Sequence, residues 1–323
     1  MNGFRGYQLV VAACRLKLPD LVGERPQAAE ELAAATGTHP PSLRRALRGL
    51  VAWGFLSQEP DGRFAPTDIS ELFRSDRPGI RNITVLLSDE GYRTWGSLAE
   101  SLRTGEPMFE RIHGKSRWQM MAEDPEDAAT FNAAMVETST RVGREFVEAF
   151  DFRGAQLVVD VAGGNGALLA AVLRAHPSMR GILFDLPAGL AGASSVMEKA
   201  AVSERVSMVE GSFFESVPAG ADLYLLKSII HDWDDERAVA ILKTCRRAMK
   251  DDARLVLVER VVPEGVPDAE DIGTLMSDLH MMVVLGGRER TTAEYGQLFA
   301  AAGLRLVGSI PMQSDFHAIE AAT

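Results

Sequence analysis

From Gln156 onward the chain interleaves apolar runs with helix-forming stretches, and this restricts its fold more than any other feature. The runs QLVVDVA, GILFDL, VSMVEG, DLYLLKSII and RLVLVER are set among GALLAAVLRAH, a helix through Lys199 and a helix from Asp234 to Met249. That order is the signature of a parallel sheet with helices on both faces. Two late runs, near 305–310 and 316–321, read as an antiparallel pair at one edge. In such α/β sheets ligands bind outside the carboxyl ends of the strands, so the chemistry is to be sought there.

Asp160 closes the first of these strands, and the loop AGGNG (162–166) leads from it into a helix. Small residues let backbone N–H groups approach a ligand closely. The loop does not spell the GxGxxG of dinucleotide sites, and an acid directly before it suits a cationic ligand better than a pyrophosphate. Asp185 ends the second strand, 185 − 160 = 25 residues later, where a carboxylate accepts from both hydroxyls of a ribose. Together these point to an adenosine cofactor without a pyrophosphate. The stretch LLKSIIHDWDDERA then places His231 where an apolar strand surfaces, and Glu259 ends the next strand over. A lone histidine usually has no chemistry. One held by a carboxylate at the open end of a sheet is the arrangement that general-base catalysis requires. Asp234, Asp235 and Glu236 read only as first-turn acids of the following helix.

The N-terminal part has a different pattern. AAEELAAATG (28–37) is a short helix closed by glycine; after the turn HPP, SLRRALRGLVAWG sets Leu43, Leu47, Leu50 and Val51 on one helical stripe. FLSQEPDGRFAPT gives two short strands around Asp61-Gly62. Helix, turn, helix and hairpin make a winged helix. Between Ser88 and Phe150 the pattern is helical again, with Asp124-Pro125 opening a long helix whose buried side carries Phe131, Met135, Val142 and Phe146. Met108, Phe109, Trp118, Met120 and Met121 either pack core or line a pocket.

A winged helix invites a nucleic-acid reading, but the net charge of −11 opposes it, because phosphate binding is driven by clustered Lys and Arg. The two cysteines, Cys14 and Cys245, lie far apart and indicate neither a disulfide framework nor a zinc site. His39, His113, His176 and His317 form no metal spacing, so no metal is expected. No apolar run reaches the ~18 residues of a membrane span. A cytoplasmic protein is the expectation.

The segments VVDVAGGNG, ILFDLP, EGSFFESVP, LLKSIIHDWDDERA, LVLVERVVPE and GGRERT occur in the order and spacing of the S-adenosylmethionine-dependent small-molecule O-methyltransferases with an N-terminal winged-helix domain. Nearly the whole chain resembles that family, in its bacterial natural-product branch, and is similar to the plant caffeate and flavonoid enzymes. The resemblance implies a Rossmann-like class I methyltransferase sheet with an N-terminal all-helical winged-helix domain, the hairpin forming its wing. It implies a dimerisation domain over 1–87, a helical linker contributing to the acceptor pocket over 88–150, and a cofactor-binding catalytic domain over 151–323. It also implies a homodimer acting on a small aromatic acceptor, with S-adenosylhomocysteine as co-product. By motif, Asp160, Gly163, Gly164, Gly166, Asp185, Leu186, Ser212, Phe213 and Lys227 hold the cofactor. His231 is the base, Glu259 and Glu289 orient it, and Met135, Asp232, His280 and Val284 line the acceptor site. Two positions depart from the family pattern: Ala162 stands where the loop usually opens with glycine, and Ser212 where an aspartate usually meets the adenine amino group. The alternative reading keeps fold and cofactor but replaces methyl transfer by a pericyclic, decarboxylating or hydroxylating reaction.

Overall fold

The computed structural model describes residues 2–77 and 79–323. The chain forms two compact units, Met1–Tyr92 with Ala133–Thr138, and Arg93–Asn132 with Ser139–Thr323.

In the first unit, helices α1 (Gly3–Arg15), α2 (Ala29–Thr36) and α3 (Pro40–Ala52) pack around a core that includes Leu32, Leu47 and Leu50. The prolines of HPP are the first turn of α3 rather than a turn ahead of it, since a residue without an amide donor loses nothing there. Strands β1 (Leu56–Gln58) and β2 (Phe64–Pro66) pair antiparallel around Gly62, whose φ of +85° only glycine adopts cheaply. The unit is therefore helical with a two-stranded wing, not all-helical. Its exposed apolar residues include Phe4, Trp53, Ile69 and Leu72.

The second unit holds a seven-stranded sheet: β3 (Leu157–Val161), β4 (Arg180–Asp185), β5 (Val206–Glu210), β6 (Leu223–Lys227), β7 (Arg254–Arg260), β8 (Arg305–Pro311) and β9 (Phe316–Ala322). Its order is β5-β4-β3-β6-β7-β9-β8, parallel through β7 and antiparallel at β9 and β8. Alternate side chains of β6 enter opposite cores. Tyr224 and Leu226 pack with Ile241, Leu242 and Phe299 on one face, while Leu223 and Leu225 pack with Phe146, Leu169 and Leu173 on the other. Burial on both faces explains the unbroken apolar runs, at roughly 1.5–3 kcal/mol for each large side chain removed from water.

The chain reverses direction across the sheet at β3, which lies between β4 and β6, and the crevice above its carboxyl end is the expected ligand position. Four further helices are α4 (Pro125–Ala149), α5 (Ala167–Ala175), which follows the carboxyl end of β3, α6 (Asp235–Ala248) and α7 (Ile272–Val284). On α4, Val142 and Phe146 are fully buried, whereas Phe131 and Met135 are half-buried. Met108 and Phe109 pack as core, but Trp118 is 39% exposed.

One strand end differs from the sequence reading. DLYLLKSII is not all strand: β6 stops at Lys227, Ser228 takes a left-handed φ of +54°, and Ile230–Asp232 form one turn of 3-10 helix. His231 thus stands one turn beyond the strand. The apolar character continues because Ile230 is fully buried under that turn.

Candidate active site

The turn that carries His231 is bent by tertiary hydrogen bonds. Glu259 Oε1 accepts from the backbone N–H of both Ile229 (2.9 Å) and Ile230 (2.8 Å), ending the ladder and holding the loop over β7. From the other side the fully buried Arg290 donates to Ile230 O (3.1 Å), Trp233 O (2.8 Å) and Asp235 Oδ1 (2.8 Å). Arg288 N donates to His231 O at 2.9 Å, and a Cβ at Gly287 would lie 2.0 Å from that oxygen, so the close approach requires glycine.

Within this frame His231, 6% exposed, places Nδ1 2.9 Å from Glu289 Oε1 and 3.8 Å from Glu259 Oε2, and Nε2 3.4 Å from Asp232 Oδ1. Glu289 is itself braced by α7, where Ser277 Oγ donates to its Oε1 at 2.7 Å and Asp278 Oδ1 accepts its backbone N–H at 2.9 Å. The two glutamates expected to act alike therefore do different things: Glu289 bonds the ring, and Glu259 bonds the backbone of the turn. Burial alone would lower the His231 pKa, but the charges of Glu259, Glu289 and Asp232 outweigh it and push it up to about 10. Burial raises Glu259, whereas His231, Ser277 and Arg260 together outweigh burial and hold Glu289 below its usual range.

The glycine loop is built against the two strand-end acids. Asp185 Oδ2 accepts from Gly164 N (2.7 Å) and Oδ1 from Leu186 N (2.6 Å). A Cβ on Gly163 would stand 2.6 Å from the Asp160 carboxyl, and Gly166 caps α5 with a φ of +80°. Ala162 adopts φ +54°, the conformation for which glycine is suited, at roughly 1–2 kcal/mol of strain. Asp160 is 1% exposed with Oδ2 unpartnered, and burial pushes it up to about 7. Burial also lowers Lys227 to about 8; its charge interacts with Glu259, Asp160 and Asp232, which ties the loop end to the histidine end as one electrostatic site.

Ser212 Oγ accepts from Phe214 N (3.3 Å), and Phe213, Phe214 and Trp233 form an edge-to-face cluster beside it. On α7, His280 Nδ1 accepts from Trp95 Nε1 at 3.0 Å, and Val284 is buried one turn on. Burial raises Asp232 to about 7. Met135 lies in the stretch 133–138 that packs with the first unit, while the other expected site residues lie in the second.

Sequence reasoning missed three contributors. Arg290 was in view within GGRERT, but only its full burial and its carbonyl partners reveal a role. Asp235 is more than a first-turn acid, because it also binds Arg290 and Arg288. Trp95 had no signal at all. His231, Glu259 and Glu289 also bring three donor atoms within 4.8 Å, a spacing that a metal ion could use. Nδ1 and Glu289 Oε1 bond each other and Glu259 Oε1 takes two amides, while Glu259 Oε2 and Glu289 Oε2 are buried without a hydrogen-bond partner.

These residues fit a cationic adenosine cofactor: two carboxylates end β3 and β4, one with an orphaned buried oxygen, and a glycine turn opens between them. The family model for the O-methyltransferase domain matches residues 95–305, and that for the O-methyltransferase dimerisation domain matches residues 1–76. A phenazine O-methyltransferase of Lysobacter antibioticus is 38% identical over 99% of this chain and 94% of its own length. An 8-amino-8-demethylriboflavin N,N-dimethyltransferase of Streptomyces davaonensis is 35% identical over 97% and 90%. Among solved structures, an O-methyltransferase from neocarzinostatin biosynthesis, in complex with S-adenosylmethionine and 2-hydroxy-5-methyl naphthoic acid, superposes with a TM-score of 0.83 at 33% identity, covering 98% of this chain and 95% of that one. Fold, site and relatives agree that this chain belongs to the S-adenosylmethionine-dependent O-methyltransferases, with their dimerisation domain at its N-terminus.

Proposed function

We propose that the protein methylates a phenolic hydroxyl of an aromatic secondary metabolite, with His231 as general base. The observation that carries this is the His231–Glu289 pair at 2.9 Å, which commits Nδ1 as donor and leaves Nε2 to accept a proton. When bound, S-adenosylmethionine supplies an electrophilic methyl group on a cationic sulfur. Asp185 and Leu186 hold its ribose, the loop through Gly163, Gly164 and Gly166 with Asp160 holds its methionine part, Ser212 and Phe213 flank its adenine, and Lys227 lies against it. His231 takes the hydroxyl proton at Nε2 as the oxygen becomes nucleophilic. Glu289 steadies the resulting imidazolium, and Glu259 and Arg290 keep the turn in place. Asp232, His280 and Val284 position the acceptor. Alignment of oxygen and methyl is worth roughly 7–11 kcal/mol in such reactions.

The homodimer reading is supported by the family's dimerisation domain over 1–76 and by the exposed Phe4, Trp53, Ile69 and Leu72. On α1, Leu9 and Val10 pack partly buried against their own unit's core and Val11 is buried, so they add little to such a face. The enzyme acts in the cytoplasm, where the buried thiols Cys14 and Cys245 stay reduced.

The test is His231→Gln with isotopically labelled donor and a phenol of pKa near 10. Turnover should fall by roughly 10²–10⁴ while the affinity for S-adenosylhomocysteine holds. Wild-type turnover in the variant would remove the histidine from proton transfer, and an unmethylated phenol panel alongside methylated anilines would move the acceptor from oxygen to nitrogen.

A further inference from the structure

The contact between Trp95 and His280 fixes a chemical property of the acceptor site. An indole N–H can only donate, so His280 Nδ1, 3.0 Å from Trp95 Nε1, must be the lone-pair nitrogen. The two rings lie 23° from coplanar with centroids 6.3 Å apart, which suits an in-plane N–H···N bond. A proton on Nδ1 would face the indole proton. His280 is therefore held neutral, with its hydrogen on Nε2, and that N–H has no hydrogen-bond partner among the described residues. Burial, assisted by the charge on His231, lowers its pKa to about 4, in the same direction.

The helix places this donor at the reaction centre. Residues three and four apart share a face of an α-helix, so His280 lies on the face of α7 that carries Ser277 and Val284. Ser277 bonds Glu289, and Glu289 bonds His231. The charges nearby are already mostly negative. Asp232, Glu259 and Glu289 surround His231, Asp278 braces Glu289, and Lys227 and Arg260 are the cations on the neighbouring strands.

We propose that His280, locked by Trp95 as a neutral Nε2–H donor, selects acceptors that carry a neutral hydrogen-bond acceptor, a ring carbonyl oxygen or a ring nitrogen, in addition to the hydroxyl that is methylated. This rests on the reading of the site as one for aromatic hydroxyls. An acceptor without such a group would cover that N–H against water without giving it a partner. One with a carboxylate adds an anion beside three acids, which a neutral His280 does not answer.

The experiment compares four phenols of similar bicyclic size: a hydroxychromanone, a hydroxyquinoline, naphthol and a hydroxynaphthoate. Each is titrated calorimetrically into protein saturated with S-adenosylhomocysteine, and each is assayed with labelled donor. Wild type should bind the chromanone or the quinoline, or both, at least tenfold more tightly than naphthol or the naphthoate. His280→Phe keeps a ring and removes the donor, and should bring all four within about threefold. Trp95→Phe releases the tautomer and should give an intermediate ratio. Affinity for S-adenosylhomocysteine reports folding; if His280→Phe loses it, the wild-type ratio and Trp95→Phe decide the matter. Equal wild-type affinities, or discrimination retained in His280→Phe, would overturn the proposal. Preference for the naphthoate would do the same, by showing that the group reads an anion. Should none of the phenols be methylated while the carbonyl preference still depends on His280, the hydroxyl-transfer reading fails and this one stands.

Discussion

Replacing Asp160 with asparagine should make the protein more stable and its cofactor site worse. The carboxyl is 1% exposed, Oδ2 has no partner, and burial with Asp185 nearby outweighs Lys227 to carry its pKa from 3.8 to about 7. At ~1.4 kcal/mol per tenfold, ionised Asp160 costs the folded state about 4 kcal/mol above neutral pH. Asparagine has nearly the same shape and no charge, but its buried amide goes short of partners at about 1–3 kcal/mol. The net expectation is a gain of about 1–3 kcal/mol at pH 8, a few degrees in Tm. The pH dependence gives the sharper check. An acid whose folded pKa is raised destabilises the folded state progressively from about pH 4 to pH 7 and fully above. The advantage of Asp160→Asn should therefore be absent at pH 4, grow through that window and level off. Scanning calorimetry at several pH values measures it, and titration with S-adenosylhomocysteine should show affinity reduced tenfold or more. An asparagine variant no more stable at pH 8 than wild type, or one whose advantage is the same at pH 4, would refute the reasoning.

Glu289→Gln keeps an acceptor for His231 Nδ1 but removes the charge, so the imidazole pKa should drop from about 10 by one to two pH units, read from the ring proton resonances of the free protein; an unmoved midpoint would assign the raised pKa to other groups. The same raised pKa predicts stability that is full below about pH 6.5 and lost as pH rises through about 10, and the glutamine variant should lose less across that window. Arg290→Met leaves Ile230 O and Trp233 O without their buried donor and should cost about 3 kcal/mol in denaturant unfolding, with kcat falling more than the KM for the cofactor rises. Light scattering at micromolar concentration should return twice the chain mass, and Phe4→Glu combined with Leu72→Glu should halve it; a wild-type monomer would remove the dimer.

The inner strands β3, β6 and β7 were legible because parallel strands covered on both faces must be apolar throughout, and the exposed edge runs of β5 and β8 were placed by their position in the alternation; all seven runs read as strands form strands. The same rule misplaced the end of β6. Apolar residues continue through Ile229 and Ile230, and nothing local says that Glu259, 29 residues beyond Ile230, captures their amides. Residue identities named the acids and the histidine of the site, but not which glutamate meets the ring. That depends on α7, whose Ser277 holds Glu289 in place. Arg290 carries no periodicity, and a buried guanidinium is visible only when the carbonyls it serves have been brought to it.

The charge balance of the site bears on how a histidine with so high a pKa can act as a base. With Glu259, Glu289 and Asp232 around it, His231 at neutral pH is an imidazolium, and an imidazolium cannot accept a proton. The remaining carboxylates, Asp160 and Asp185, sit where the proposed function places the cationic cofactor, and Lys227 interacts electrostatically with both Asp160 and Asp232. A cation placed among these groups lowers the pKa of every other cation within reach, and by linkage its affinity rises as those cations lose protons. A bound cofactor with a charged sulfur would therefore favour the neutral form of His231, and a product with an uncharged sulfur would favour the imidazolium. The acids are thus matched to two charges that alternate. In the free protein the proton on His231 balances them; with the cofactor bound its charge would do so, and Nε2 would be free to serve as the proposed base. Glu289, the acid in direct contact with the ring at 2.9 Å, can accept from Nδ1 whether or not Nε2 is protonated, so the histidine could change charge without losing the hydrogen bond that aims it.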